Sequence, residues 1–134
     1  MAEYKLVIGT KSGKCVQRAV ADADAAAFFG KKIGQTIDGS AFGLTGYEFL
    51  ITGGSDNCGF PMRKDNDGSA RKKILAIYGI GIRERAKSKG CRQKKSVAGN
   101  TIYEKTAQIN LKVLKGNEEA LLAPPAEAAE EAKA

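Results

Sequence analysis

Sixteen glycines in 134 residues, close to one in eight, cut this chain into short segments. A residue without Cβ eases turns and bulges and weakens a helix interior. A chain so interrupted, with few long apolar runs, is directed toward short strands and away from a helical bundle. The length suffices for one domain with a genuine core plus a tail. The hydrophobic content of 43% is ordinary for a soluble globular protein.

The pattern between the glycines supports this. Tyr4 to Ile8 is rich in β-forming residues and predicts a first strand. Gly9 to Gly13 reads as a turn, and Lys14 to Val20 as a second strand. Ala21 to Phe29 is the best helix candidate, with Asp22 or Asp24 suited to its N-terminus and Gly30 to its stop. Barely two turns long, it must be held by packing Phe28 or Phe29. Lys31 to Ile37 alternates and ends at the Asp38-Gly39 turn; Phe42 to Gly46 reads as a bend.

Tyr47 to Thr52 predicts a strand, Gly53 to Asn57 a tight polar turn, and Lys73 to Tyr78 a further strand. From Thr106 to Leu114 the period is two: Ala107, Ile109, Leu111 and Val113 on one face, Gln108, Asn110 and Lys112 on the other. One buried and one wet face follow from that alternation. The expected fold is mainly β: a small β-barrel or strongly curved antiparallel sheet of about five or six strands, with one short helix, long basic loops and a mobile acidic C-terminal tail. The domain spans 1–116, with its basic loops at 60–99. Residues 117–134 form an acidic Ala/Glu/Pro tail, and Glu118 to Ala134 carries a charge of −4.

Charge is distributed unevenly. Between Phe60 and Gly99 lie twelve of the 22 Lys and Arg residues and only three acids, a net +9 in a chain whose total is +7. Such a field raises the energy of the compact state through self-repulsion, and a polyanion relieves it. The cations are Arg63, Lys64, Arg71, Lys72, Lys73, Arg83, Arg85, Lys87, Lys89, Arg92, Lys94 and Lys95, with glycines interspersed. They lack the 3.6-residue spacing of one long basic helix face. Loops following an irregular phosphate surface suit folded RNA better than regular DNA. Phe60 and Tyr78 are the only aromatics in the segment, so phosphate contact is expected to outweigh base stacking. No apolar face accompanies the charge as a membrane-surface helix would require.

Other chemistries find little support. Gly9-Thr10-Lys11-Ser12-Gly13-Lys14 resembles a phosphate loop but has three residues between its glycines, and Cys15 stands where a magnesium-binding hydroxyl belongs. Gly79-Ile80-Gly81 begins a dinucleotide fingerprint without its third glycine or its βαβ setting. Cys15, Cys58 and Cys91 are scattered, and the chain has no His, which argues against a zinc site and a Cys–His pair. Asp56, Asp65 and Asp67 read as solvated loop acids. The expectation is a non-enzyme without cofactor, metal or small-molecule substrate. No targeting signal or membrane span is visible, so a cytoplasmic protein is expected.

Several motifs in order then resemble one family. Ile33-Gly34, Asp38-Gly39, Gly43-Leu44 and Gly46-Tyr47 are followed by Gly53-Gly54-Ser55-Asp56 and Gly59-Phe60-Pro61-Met62-Arg63. After the basic stretch come Lys94-Lys95-Ser96-Val97-Ala98-Gly99, Asn100-Thr101-Ile102 and Gln108-Ile109-Asn110-Leu111-Lys112-Val113. Over about residues 3 to 116 the chain resembles the e-type small-subunit ribosomal protein six family of archaea and eukaryotes, in a short, archaeal-like form.

The resemblance implies a structural constituent of the small ribosomal subunit with a small β-barrel body. Its implied partners are small-subunit rRNA and neighbouring ribosomal proteins, and its place is cytoplasmic, in the ribosome. A free RNA-binding regulatory module is the alternative. The chain departs from the family's usual pattern at Ile82, where an aromatic ring is common, at Glu84, where Pro is common, and at Ala98, where Arg is common. On this reading the arginines hold phosphates bidentately and the lysines act as flexible point charges. Phe60-Pro61-Met62 is expected to plug the barrel end, and the Lys87 to Gly99 stretch to be a loop that orders on RNA.

Overall fold

The computed structural model describes residues 3–83, 90–117 and 121–122. Seven strands carry the described fold: β1 (Glu3–Gly9), β2 (Cys15–Ala21), β3 (Thr36–Asp38), β4 (Glu48–Asp56), β5 (Lys72–Ala76), β6 (Gln93–Val97) and β7 (Thr106–Lys115). One helix, α1 (Asp22–Ala26), follows β2, and a 3-10 turn spans Gly39–Phe42. The strands divide into a five-stranded sheet of order β2-β1-β7-β4-β3 and a two-stranded ribbon of β5 and β6.

The large sheet is mixed rather than antiparallel. β7 enters between β1 and β4, parallel to the first and antiparallel to the second. Its alternation follows the sequence from Ile109 on, with Ile109, Leu111 and Val113 buried and Lys112 exposed, whereas Ala107, expected on the buried face, is half-buried like Gln108 and Asn110, and Thr106 is buried. Register shifts along β4 and β7 fall at Glu48/Phe49, Ile51/Gly53 and Ser55/Asp56. Each bulge adds local twist, so the sheet curls into a half-barrel, with β2 and β3 as its outer strands among the described residues.

The concave face buries Tyr4, Leu6 and Ile8 from β1 and Phe49 and Ile51 from β4. Phe28, Phe42, Ile102, Met62 and Leu121 cover it. Phe28, Phe42 and Phe49 meet in tilted pairs with centroids 5.2 and 5.4 Å apart, within the favourable range for aromatic contacts. Of the two aromatics just past the helix, Phe28 is buried and Phe29 faces solvent.

Three local expectations need correction. The helix ends at Ala26, and its cap is Ala21, which makes no side-chain capping bond. Phe28 N–H donates to Ala25 O and Phe29 N–H to Ala26 O, so i→i−3 bonds tighten the chain into a turn that ends at left-handed Gly30. Between Lys31 and Gln35 the chain turns, and only Thr36–Asp38 pairs as a strand.

Gly53 to Asp56, read as a turn, belongs to β4. The glycine at 54 serves close approach: a Cβ there would run into the Gln108 carbonyl and lie 3.0 Å from Met62 Sδ. The actual turn is Asn57-Cys58-Gly59, closed by Asp56 N–H to Phe60 O at 2.9 Å and Gly59 N–H to Asp56 O at 2.8 Å.

Candidate nucleic-acid interface

The chain leaving that turn ties the large sheet to the ribbon. Met62 N–H donates to Gly54 O at 2.9 Å, and Ala98 N–H, just past β6, donates to Pro61 O at 2.9 Å. Residues 61–63 thus lie between β4 and the end of β6, with Met62 buried in the core. Met62 packs in the core cluster, and Phe60 is half-buried.

Of the ribbon, sequence reasoning found the first strand at Lys73 to Tyr78, which the structure places at Lys72–Ala76, and missed the second. Lys72 to Ala76 pairs with Gln93 to Val97 in a five-residue antiparallel ladder. The stretch expected to be one loop from Lys87 to Gly99 therefore contains a strand at Gln93–Val97. Gln93 to Ser96 offers no apolar period, and its partner β5 supplies the backbone bonds that hold it. Opposite residues of a ladder share a face, so Lys72 and Lys95 lie on one side of the ribbon with buried Val97. Lys73 and Lys94 lie on the other side with Leu75 and Ser96. All four lysines are exposed, and no acid occurs in either strand.

The remaining cations divide by role. Arg63 is directed at the protein: it pairs with Asp65, and its Nη1 donates to Ile80 O at 3.2 Å. Arg71 is held more firmly. Its Nε donates to buried Asp56 Oδ2 at 2.5 Å, its Nη2 reaches Asn57 Oδ1 at 3.1 Å, and its guanidinium lies 5.2 Å from the Phe60 ring centroid.

Tyr103 O–H donates to the same Asp56 oxygen at 3.1 Å, and Tyr4 O–H donates to Tyr103 O at 3.2 Å. The Arg71 hydrogen bond holds the Asp56 carboxyl below its usual range, with Tyr103 assisting against the cost of burial. Burial, then Asp56, pushes the Tyr103 hydroxyl up. Arg63 holds Asp65 down in the same way. Asp56 is thus a buried anchor and not the solvated loop acid expected; a lone acid after two glycines carries no sequence mark of burial.

Lys64, Arg83 and Arg92 are exposed beside the ribbon. Lys64 stands on a loop pinned from beneath. Buried Asn100 donates through Nδ2 to Asp67 Oδ1 at 2.8 Å and to Lys64 O at 3.3 Å, and its N–H donates to Asn66 O at 2.8 Å. Asn66, also buried, donates to Ala70 O at 3.1 Å. Gly99 lies against this loop, where a Cβ would strike Gly68 O. The Arg83 carbonyl accepts from Gln93 Nε2 at 2.9 Å, which fixes the point where the chain leaves the ribbon's turn. Arg85, Lys87 and Lys89 lie outside the described residues.

Elsewhere the phosphate-loop look-alike is a hairpin. Thr10 N–H donates to Lys14 O at 2.9 Å between β1 and β2, and Thr10 Oγ1 donates to the same carbonyl at 2.8 Å.

A curled β-sheet carrying a separate cationic ribbon, its loops braced by buried polar groups, defines a basic β-protein organised to present positive charge. Comparison with known proteins gives the family. Residues 4–123 match the family model described as Ribosomal protein S6e, and the chain belongs to that family.

Similar relatives are archaeal proteins called small ribosomal subunit protein eS6. That of Methanosphaerula palustris is 41% identical over 134 residues, covering 97% of this chain and all of the relative. Those of Methanococcus maripaludis and Nanoarchaeum equitans are each 45% identical, over 112 and 115 residues. These matches cover 83% and 85% of this chain, and 86% and 82% of the relatives.

Proposed function

We propose that this chain is a structural, non-enzymatic constituent of the small ribosomal subunit, working in the cytoplasm within the ribosome. It binds the phosphate backbone of small-subunit rRNA through the β5–β6 ribbon and the loop before it, and it meets neighbouring ribosomal proteins. The observation that carries this reading is the ribbon itself: four exposed lysines on ten residues, on both faces, with no acid among them. Alone, such a ribbon repels itself; against a polyanion each lysine releases condensed counterions.

Within the binding set of the twelve cations, the roles differ. Lys64, Lys72, Lys73, Arg83, Arg92, Lys94 and Lys95 contact phosphate from the described surface, joined by Arg85, Lys87 and Lys89. Arg63 and Arg71 reach RNA only with the donors left over from their protein partners, and chiefly brace the surface.

The test is the salt dependence of affinity for deproteinised small-subunit rRNA. Each phosphate contact contributes about 0.7 to 0.9 log units per log unit of salt. Replacing Lys72, Lys73, Lys94 and Lys95 by Ala together is expected to flatten the slope by about 3. A wild-type slope near zero, or a slope unchanged in the fourfold variant, would refute backbone binding by the ribbon.

A further inference from the structure

Among the described residues, four of the five exposed large hydrophobic side chains, Leu75, Ile77, Tyr78 and Ile80, fall within six residues at the end of the ribbon. Tyr78 is 79% exposed, the most open of them. A soluble protein gains nothing by displaying an aromatic ring beside three aliphatic side chains, and such patches mark contact sites.

The turn that displays them is braced. Ile82 N–H donates to Gly79 O at 3.1 Å, Arg63 holds Ile80 O, and Gly81 is left-handed and packed so that a Cβ would lie 2.9 Å from Pro61 Cγ and 3.2 Å from Val97 Cγ1. A shallow open pocket of about 450 Å³ lies here, lined by Arg63, Leu75, Ala76, Ile77, Tyr78 and Arg92.

The occupant is set by the rim. Of the pocket's two charged walls, Arg63 is already paired with Asp65, and Arg92 is the exposed cation at its edge. The complement is flat and apolar in the middle and anionic at its edge. A nucleotide has that form: a base with a π-face, joined to a phosphate.

We propose that this pocket seats an unpaired nucleotide of the bound RNA, its base stacked on Tyr78 against Leu75 and Ile77 and its phosphate on Arg92. This rests on the RNA-binding reading above and adds to it a base contact that the scarcity of aromatics argued against. Phe60, the other aromatic of the basic segment, is already engaged by Arg71, so Tyr78 is the ring left for this role.

The test compares the full chain with Tyr78→Phe, Tyr78→Leu and Tyr78→Ala, using small-subunit rRNA freed of protein and a fully paired RNA duplex as probes. Exposure at this position means that none of the three should disturb folding. Stacking needs a ring and no hydroxyl, so Tyr78→Phe keeps its affinity for rRNA. Tyr78→Ala and Tyr78→Leu lose it by roughly 5- to 150-fold, with the salt slope unchanged and duplex binding unaffected.

Full affinity in Tyr78→Leu would show a plain apolar contact and overturn stacking. Equal losses on rRNA and duplex would overturn the unpaired base. Unchanged rRNA affinity in Tyr78→Ala with a steep salt slope overturns this proposal alone, leaving the pocket open to a protein segment. A wild-type protein indifferent to rRNA overturns both readings.

Discussion

Gly53 and Gly54 are adjacent in the same strand, yet Ala at the two positions should have opposite effects. At Gly53 a Cβ meets nothing within 4 Å, and the backbone is not left-handed. Replacing a strand glycine at such an open site recovers about 0.5–1 kcal/mol of conformational entropy. At Gly54 the added carbon collides with the Gln108 backbone carbonyl of β7 and touches Met62 Sδ at 3.0 Å. Carbon–oxygen contacts between strands normally stay beyond about 3.3 Å, so β4 and β7 would have to part by about 1 Å.

Neither is free to move: β7 is the middle strand of the sheet, and Gly54 O receives the Met62 N–H that anchors the chain to the ribbon. Overpacking of this kind costs typically 1–3 kcal/mol, and a backbone obstacle puts Gly54→Ala at the upper end, about 3 kcal/mol. Urea denaturation with m of about 2 kcal/mol/M would separate the two variants by about 2 M in midpoint. Coincident midpoints, or a Gly54→Ala protein as stable as wild type, would refute the close approach and with it the account of how the ribbon is fastened.

Two further predictions concern the supports of the interface. Asp56 has a depressed pKa, so its contribution is complete above the unfolded value of about 4 and is lost as pH falls through the lower folded value. Asp56→Asn should cost about 1–3 kcal/mol at pH 7 and flatten the acid limb of a stability–pH profile; an acid limb identical to wild type would contradict the Arg71–Tyr103 anchor. Leu121, although beyond the last strand, is 7% exposed within the core cluster, so Leu121→Ala should cost about 2–3 kcal/mol by thermal or urea unfolding. A loss under 0.5 kcal/mol would mean that the core does not need it.

Much of the large sheet was legible because its strands obey simple periods. Thr106 to Leu114 reports its buried face through alternation, and Tyr4 to Ile8 its strand through β-forming residues. The parallel β1–β7 pairing was not legible, because nothing local in Ile8 or Leu111 states which strand lies beside it. Gly53-Gly54 looked like a turn because glycine permits both a bend and a close contact, and only the neighbouring Gln108 carbonyl decides between them.

The charge concentration located the candidate interface, but its internal division was hidden. Arg63 and Arg71 look the same in sequence as Arg83 and Arg92, yet their partners Asp65 and Asp56 turn them inward. The β6 strand was missed because Gln93 to Ser96 is polar throughout, with its pairing supplied by β5. Leu75, Ile77 and Tyr78 fall in the segment read as a strand, but β5 ends at Ala76 and all three side chains face solvent.

Quantitative acetylation footprinting of lysines, in the free protein and in intact small subunits, measures the central claim most directly. The account predicts that Lys64, Lys72, Lys73, Lys94 and Lys95, all exposed in the free chain, become strongly protected on assembly. It predicts too that the protection disappears when the rRNA is digested. Ribbon lysines that react equally in both states, or that stay protected after the RNA is removed, would contradict it.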